Sequence, residues 1–434
     1  MNERDTLNVN KNGKLVIGGI DARTLADKFG TPLYVMDKTH IMNMCKIFSE
    51  TLKNEYGDGL VSYASKAFCC KEMYRIINDC SLGADVVSGG ELYTAIKSGF
   101  PAKKLTFHGN NKSAEELSEA VVCGVGEIVI DSFNEIDDLD KICEKLGKKQ
   151  NVLIRVNPGV EAHTHHFIQT AKPDSKFGFS VSDASAELAI KKASAAKNLS
   201  LTGLHCHIGS QIFEKKSFVL AVDKMTDFYK KVRDELGIEF SVLNLGGGFG
   251  VYYSEGDPKL KLSDYAEYIK TIADELKRCV KEKELKKPFL MLEPGRSIVG
   301  EAGITLYTVG RTKEIKGIKN YLAVNGGMFD NPRFALYQAR YTVAAAERMN
   351  DSPVKKYSIA GKCCESGDLI AEDCMLPEMR EGELLAVFST GAYNYSMSSN
   401  YNRNPVPPVV VVENGTAYYA VKPQTYDDII INDV

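Results

Sequence analysis

The stretch LTGLHCHIGSQIFEKKSFVLAVDKMTDFYKKVRDEL, residues 201–236, carries one complete strand-to-helix unit. Leu201–Ile208 is a short β-rich run, Gly209, Ser210 and Gln211 make a small polar mouth, and Lys216–Leu236 repeats apolar residues at three- and four-residue spacing. Strand, polar mouth and amphipathic helix in that order form the repeat of a parallel α/β fold. Outward from it the pattern recurs. Candidate strands are Leu60–Ala64, Gly83–Val87, Leu105–His108, Glu127–Asp131, Val152–Asn157, Ser241–Leu245 and Phe289–Glu293. Helix-like stretches such as Ser113–Val122, Asn134–Leu146, Ala184–Ala196 and Leu262–Lys283 alternate with them. Eight such strands argue for a closed (β/α)8 barrel over an open doubly wound sheet.

A barrel of this kind takes about 250 residues, and the chain has 434. After about residue 300 the texture changes. Ile304–Val309, Tyr321–Val324, Leu384–Phe388, Val409–Val412 and Thr416–Val421 are short strand-like runs separated by Gly, Pro and Asn turns. These read as a β-domain, a sandwich or barrel. Leu15–Ile17 and Leu33–Met36 could pair with it. The expected class is therefore α/β: a (β/α)8 TIM-like barrel over residues 38–298, and a second, C-terminal β-sandwich or β-barrel domain from 299–434 plus 1–37.

Composition excludes several classes. Lys and Arg number 54 against 57 Asp and Glu, which gives no electrostatic footprint for nucleic acid and no basic face for a membrane. The opening MNERDTLNVN has acids and no apolar core, unlike a secretory signal, and no run approaches the length of a membrane span. The 11 cysteines are scattered, with no CxxC spacing, as in a reduced cytoplasmic protein.

In such a barrel the site lies at the C-terminal ends of the strands. SYASKAF follows the first strand and GADVVSGGEL the second; FHGNNKS, RVNPG, HCHIGSQ, LGGGFG and EPGR close the third and the fifth to eighth. Lys66 in the first is either a lysine snorkelling at a strand end or a desolvated amine able to form a Schiff base. Gly246, Gly247 and Gly248 make a tight turn or a cradle of backbone N–H groups for a phosphate. Gly295 and Arg296 add a donor and a guanidinium. A Schiff-base lysine beside a phosphate cradle suggests pyridoxal 5′-phosphate (PLP). Glu293 then reads as the partner of the pyridine nitrogen; a ring held protonated suits decarboxylation better than racemisation.

The ordered set SYASKA, HxHIGSQ, GGGFG, EPGR and CESGD resembles the fold-type III PLP-dependent decarboxylases, over roughly residues 30–400. HGNNKS at 108–113 and EAHTHHFIQTAKPDSKFGF at 161–179 bring the likeness closest to the diaminopimelate decarboxylase branch. That resemblance implies a homodimer with shared sites, acting on meso-2,6-diaminopimelate to give L-lysine and CO2. It implies that Lys66 carries the cofactor, with Asp85, His207, Ser210, Gly248, Glu293, Gly295, Arg296 and Tyr393 around it. His207 would stack on the cofactor ring. Arg296, Arg333 and Tyr337 would hold the distal carboxylate, Glu365 the distal amine, and Cys364 would donate the proton. Arg333 and Tyr337 lie four apart, which suits one helical face. The acidic neighbours of Cys364 give no independent reason for a reactive thiol.

No metal is expected. His205 and His207 share a strand face but have no third ligand, and His163, His165 and His166 are completed by no Cys or acidic pattern. His205 reads as a hydrogen-bonded residue of the barrel interior. A PLP-binding protein without turnover would be expected to lack Arg333, Cys364 and Glu365. A decarboxylase making a polyamine would leave Arg333 and Tyr337 redundant.

Overall fold

A computed structural model of the chain describes residues 6–160 and 175–434. His163, His165 and His166 lie outside the described residues. The chain divides into two compact units: Met44–Gly250 with Leu260–Ser297, and residues up to Asn43 with Val251–Lys259 and Ile298–Val434.

The first unit is a closed parallel barrel. Its strands are β1 (Gly59–Ala64), β2 (Gly83–Val86), β3 (Leu105–Phe107), β4 (Glu127–Ile130), β5 (Gln150–Asn157), β6 (Leu199–His205), β7 (Val242–Asn244) and β8 (Phe289–Leu292). Each pairs in parallel with the next. Leu290, Met291 and Leu292 of β8 then pair with Gly59, Leu60 and Val61 of β1, which closes the ring. The expected (β/α)8 fold is present, with every expected strand. Because helices cover the outside and side chains fill the inside, strand residues are buried on both faces; Ile128, Ile130, Leu153, Ile154, Leu204 and Leu243 are at most 1% exposed. The β6–β7 seam explains one glycine. A Cβ on Gly203 would sit 1.8 Å from the Val242 carbonyl, where the pairing of β6 shifts register.

The sequence marks its own helix starts. Ser88, Ser113 and Ser132 cap the helices Gly89–Ser98, Ala114–Cys123 and Phe133–Leu146, each accepting from the backbone N–H of the glutamate three residues on. Those glutamates reach back: Glu91, Glu116 and Glu135 accept from the N–H groups of Val87, Ser113 and Asp131. Gly99, Gly124 and Gly147 end the same helices in left-handed conformations. Helix Lys215–Leu236 buries Phe218, Val222, Met225, Tyr229 and Val232, the three- and four-residue stripe of the opening stretch.

The second unit is built on one long strand, Gly303–Ile315. Its first half pairs antiparallel with Leu33–Asp37 on one side and Leu384–Phe388 on the other, and its second half with Lys319–Val324. Val409–Glu413 extends the sheet parallel to Leu33–Asp37. Both faces are covered. Ile304, Leu306, Leu384 and Ala386 enter one core with Leu15, Ile17 and Leu25, while Tyr307, Val309, Leu385 and Val387 enter a second core with Ile359 and Ile370. The N-terminal segment thus belongs to this unit, and the strands Val343–Ala345, Lys355–Ala360 and Leu369–Leu376 on its sheet were not singled out in the sequence.

Lys112 of HGNNKS is a structural cation. Its Nζ lies 2.7 Å from Glu135 Oε1 and donates to the carbonyls of Gly109 and Val129, with 1% of its side chain exposed. Removing one partner of a buried pair leaves an uncompensated charge, at a cost of about 3–5 kcal/mol. Lys112→Met is expected to lower stability by that amount in a denaturant titration. Addition of Glu135→Gln should recover part of it; an unchanged midpoint in the single variant would refute the assignment.

Candidate active site

Glu293, one residue past β8, is 6% exposed, and three strand ends converge on its carboxylate. His108, one residue past β3, lies with Nε2 2.9 Å from Oε1. Asn244 at the end of β7 donates from Nδ2 to the same oxygen at 2.7 Å. His205 at the end of β6 lies with Nε2 3.2 Å from Oε2. The Asn244 amide is oriented from its other end, because its Oδ1 accepts the Gly246 N–H at 2.9 Å and so turns Nδ2 toward Glu293. Burial alone would raise the Glu293 carboxyl, but His108 and His205 outweigh it and hold the group well below the usual carboxylate range. Burial, opposed by Glu293, pushes His205 down to about 3, so its imidazole is neutral.

The glycine run follows from the same convergence. A Cβ on Gly247 would meet the Glu293 carbonyl at 2.1 Å, and Gly248 has φ +109° with its missing Cβ 2.5 Å from the Gly209 carbonyl. Crowding of strand ends therefore requires these glycines whatever the ligand. The Gly247 N–H donates to His207 Nδ1 at 3.3 Å. His207 lies beyond the end of β6 and is half-buried, while His205 is 1% exposed inside the barrel; this is the division expected from HCHIGSQ. Burial, then the Lys66 charge, lowers the His207 imidazolium well below its usual range.

Lys66 sits on the turn Ser65–Ala67 beyond β1. It is exposed, as a lysine snorkelling at a strand end would be, and is not desolvated by its described neighbours; Ser65 and Ala67 on either side are the buried residues. Asp85 at the end of β2 is 4% exposed and accepts the Ser65 N–H at 3.1 Å, so it fixes the turn that presents Lys66. Burial and then Glu293 raise the Asp85 carboxyl, and Lys66 opposes them. Arg296, 8% exposed, donates to the Ser210 hydroxyl at 3.0 Å. Arg155 on β5 faces the same interior, where burial lowers it and the charges of Asp131 and Glu293 raise it. Sequence reading singled out neither Arg155, His108 nor Asn244 for a role.

The donor set fits PLP. A carboxylate has about four acceptor positions, and three described donors occupy both positions of Oε1 and one of Oε2. One acceptor position on Oε2 is left for a pyridinium N–H.

The other expected residues belong to the second unit. Arg333 and Tyr337 begin and end a short helix, but Arg333 is 8% exposed and Tyr337 is 38% exposed. Arg333 donates to the Tyr341 hydroxyl at 2.8 Å, and its guanidinium lies 4.9 Å from the centre of the Tyr253 ring. The Tyr341 hydroxyl in turn donates to Asn394 Oδ1 at 3.2 Å. Among the described residues Arg333 has no carboxylate partner, only Tyr341 and Tyr253, an unusual state for a buried arginine. Tyr393 has φ +64°, a conformation a tyrosine adopts only when its surroundings impose it. Cys364 and Glu365 are exposed in the loop joining the antiparallel strands Lys355–Ala360 and Leu369–Leu376. Asp368 carries that loop, accepting the N–H groups of Cys363 and Met328, each at 2.6 Å, and Asn402 accepts that of Cys364 at 2.8 Å.

Residues 40–300 match the pyridoxal-binding domain of the pyridoxal-dependent decarboxylases. The chain is 49% identical to a diaminopimelate decarboxylase of Halalkalibacterium halodurans, over 99% of this chain and 97% of that protein. It is 50% identical to that of Bacillus subtilis, over 98% and 96%. The crystal structure of diaminopimelate decarboxylase from M. jannaschii in co-complex with L-lysine superposes with a TM-score of 0.91 at 36% identity, covering 99% of this chain and 98% of that one. With a site built to keep a carboxylate ionised at a barrel mouth, the chain belongs to the pyridoxal-dependent decarboxylases, in the diaminopimelate decarboxylase family.

Proposed function

We propose that this protein catalyses the PLP-dependent decarboxylation of meso-2,6-diaminopimelate to L-lysine and CO2, the last step of lysine biosynthesis. The observation that carries the reaction class is the ionised Glu293 carboxylate, held by His108, Asn244 and His205 with one acceptor position left over. When bound, PLP supplies a ring that accepts the electron pair released as the C–C bond to the α-carboxylate breaks. The chain's residues supply the rest. Lys66 provides the amine that anchors the cofactor, and the substrate amine takes its place. Glu293 keeps the proton on the ring nitrogen. His207 lies against the ring face, and Ser210, Gly248, Gly295 and Arg296 surround the phosphate. The Cys364 thiol returns a proton to the α-carbon, and Glu365 receives the distal ammonium.

Substrate choice rests on Arg333. A buried guanidinium with no acid among its described neighbours is completed by an anion from outside the chain, and a distal carboxylate is such an anion. Tyr337, Tyr393 and Arg296 are read as its companions. Ornithine and arginine carry no carboxylate there.

We infer that the working form is a cytoplasmic homodimer, each Cys364 loop entering the partner's site. The exposed Cys364 and Glu365 are available for that contact, and all eleven cysteines are free thiols, as a reducing compartment requires. No helix among the described residues is long and apolar enough to cross a membrane.

Three measurements follow. Lys66→Ala should abolish both the absorbance of the bound cofactor and CO2 release from meso-diaminopimelate; retention of both would end the assignment. Arg333→Met should lower kcat/KM for meso-diaminopimelate by about 10- to 100-fold, the range of one lost charged hydrogen bond, with no gain on ornithine, arginine or lysine. Equal CO2 release from ornithine by the unaltered enzyme would favour the polyamine branch instead. Mixing Lys66→Ala with Cys364→Ala chains, each inactive alone, should restore about a quarter of normal activity, since random pairing in a two-fold dimer makes half the dimers hybrids with one intact site each. No recovery would place each site within one chain.

A further inference from the structure

The part of the site that sequence and family leave unexplained is the pair of histidines behind Glu293. We propose that His108 and His205 are positioning residues: two imidazoles whose Nε2–H groups both donate to Glu293, holding the carboxylate ionised and oriented and thereby fixing the protonation of the pyridine ring placed against it. The role at the ring rests on the PLP assignment above; the hold on Glu293 does not.

The geometry carries this. His108 and His205 approach different oxygens of one carboxylate, at 2.9 and 3.2 Å, with both rings and the carboxylate at most 6% exposed. The rings meet edge to face, centroids 4.8 Å apart, too close in a buried site for both to carry charge. Each ring presents its Nε2 to Glu293, so an N–H of each is spent on the carboxylate. Each histidine stands on a different strand end, so the carboxylate is fixed from two sides by rigid elements. The three groups could be read as a divalent-cation site. The Asn244 amide donating to Glu293 and the nearby Arg155 charge suit an anion instead.

The groups facing Glu293 come from every neighbouring strand end: His108, Asn244, His205, Arg155, Asp85, Cys206 and His207. Asp85 and burial favour the protonated carboxyl; the two histidines and Arg155 oppose them. Without the histidines burial prevails, and buried carboxyls of that kind take up protons near neutral pH. A protonated Glu293 no longer attracts the ring proton, and the ring becomes a weaker electron acceptor.

The test uses full-length holoenzyme labelled with 13C at the glutamate carboxyls. Glu293 is assigned by its loss in Glu293→Gln and titrated by NMR in the unaltered protein, His108→Leu, His205→Leu, His108→Gln and His205→Gln. A glutamine side chain keeps an N–H where Nε2 stands. The leucine variants should raise the proton affinity of Glu293 by at least about 100-fold. The acid limb of kcat/KM should move up by the same amount, so that activity lost at neutral pH returns as pH rises. The glutamine variants should titrate as the unaltered protein does. A Glu293 titration unmoved in the leucine variants, or a rate lowered equally at all pH values, would overturn the proposal in favour of simple packing. If a leucine variant fails to fold, asparagine at the same position, too short to reach Glu293, gives the same comparison. The carboxyl titration needs no substrate, so it decides the proposal even if meso-diaminopimelate proves not to be the substrate.

Discussion

A carboxylate in the middle of a barrel is costly unless donors surround it, and the Glu293 arrangement shows what meeting that constraint requires. The parallel closure of β8 onto β1 brings the ends of all eight strands to one mouth. Only there can residues as distant in sequence as 108, 205 and 244 reach one side chain. Holding it in turn shapes the neighbouring backbone. Asn244 is oriented by Gly246, and Gly247 must lack a side chain because the Glu293 carbonyl passes where its Cβ would be. The LGGGFG and EPGR motifs are thus two sides of one contact.

Much of this was legible in the sequence. Each barrel strand could be read from its apolar run and helices such as Lys215–Leu236 and Leu262–Glu282 from their stripes, because a fully covered parallel barrel imposes both patterns; Lys38–Glu55 was not singled out. The polar strand ends followed once the fold was assumed. His205 and His207 could be separated by family resemblance together with their depth on the strand. Convergence was not legible: nothing local to FHGNN or LNLGG says that His108 and Asn244 meet the same carboxylate. Lys112 shows the opposite limit, since HGNNKS carries family resemblance while its lysine serves a buried ion pair. The repeated S-x-x-E at residues 88–91, 113–116 and 132–135 was a readable signal of three helix starts.

The second unit was harder for a physical reason. Residues 303–309 and Leu384–Phe388 are buried on both faces by different cores, so they read clearly. Lys355–Ala360 and Leu369–Leu376 show no regular alternation of buried and exposed positions and place Lys356, Glu372 and Asp373 on the surface, which masks them as strands. The CCESGD motif is the connection between those two strands. Its final aspartate, easily read as one more site acid, instead carries the loop by accepting two backbone N–H groups. In that motif Cys364 and Glu365 are exposed, and the buried Asp368 fixes the backbone that carries them.

The same division applies to Arg333. Tyr341 and Tyr253 hold its guanidinium, with the Tyr341 hydroxyl bonded in turn to Asn394, and among the described residues no carboxylate is paired with it; hydroxyls and ring faces orient a cation while leaving its charge intact. Glu293 carries the opposite charge and is held by three side chains from separate strand ends. In each unit one buried charge is fixed in direction by side chains that reach it from separate positions in the chain, which is what a charge removed from water requires.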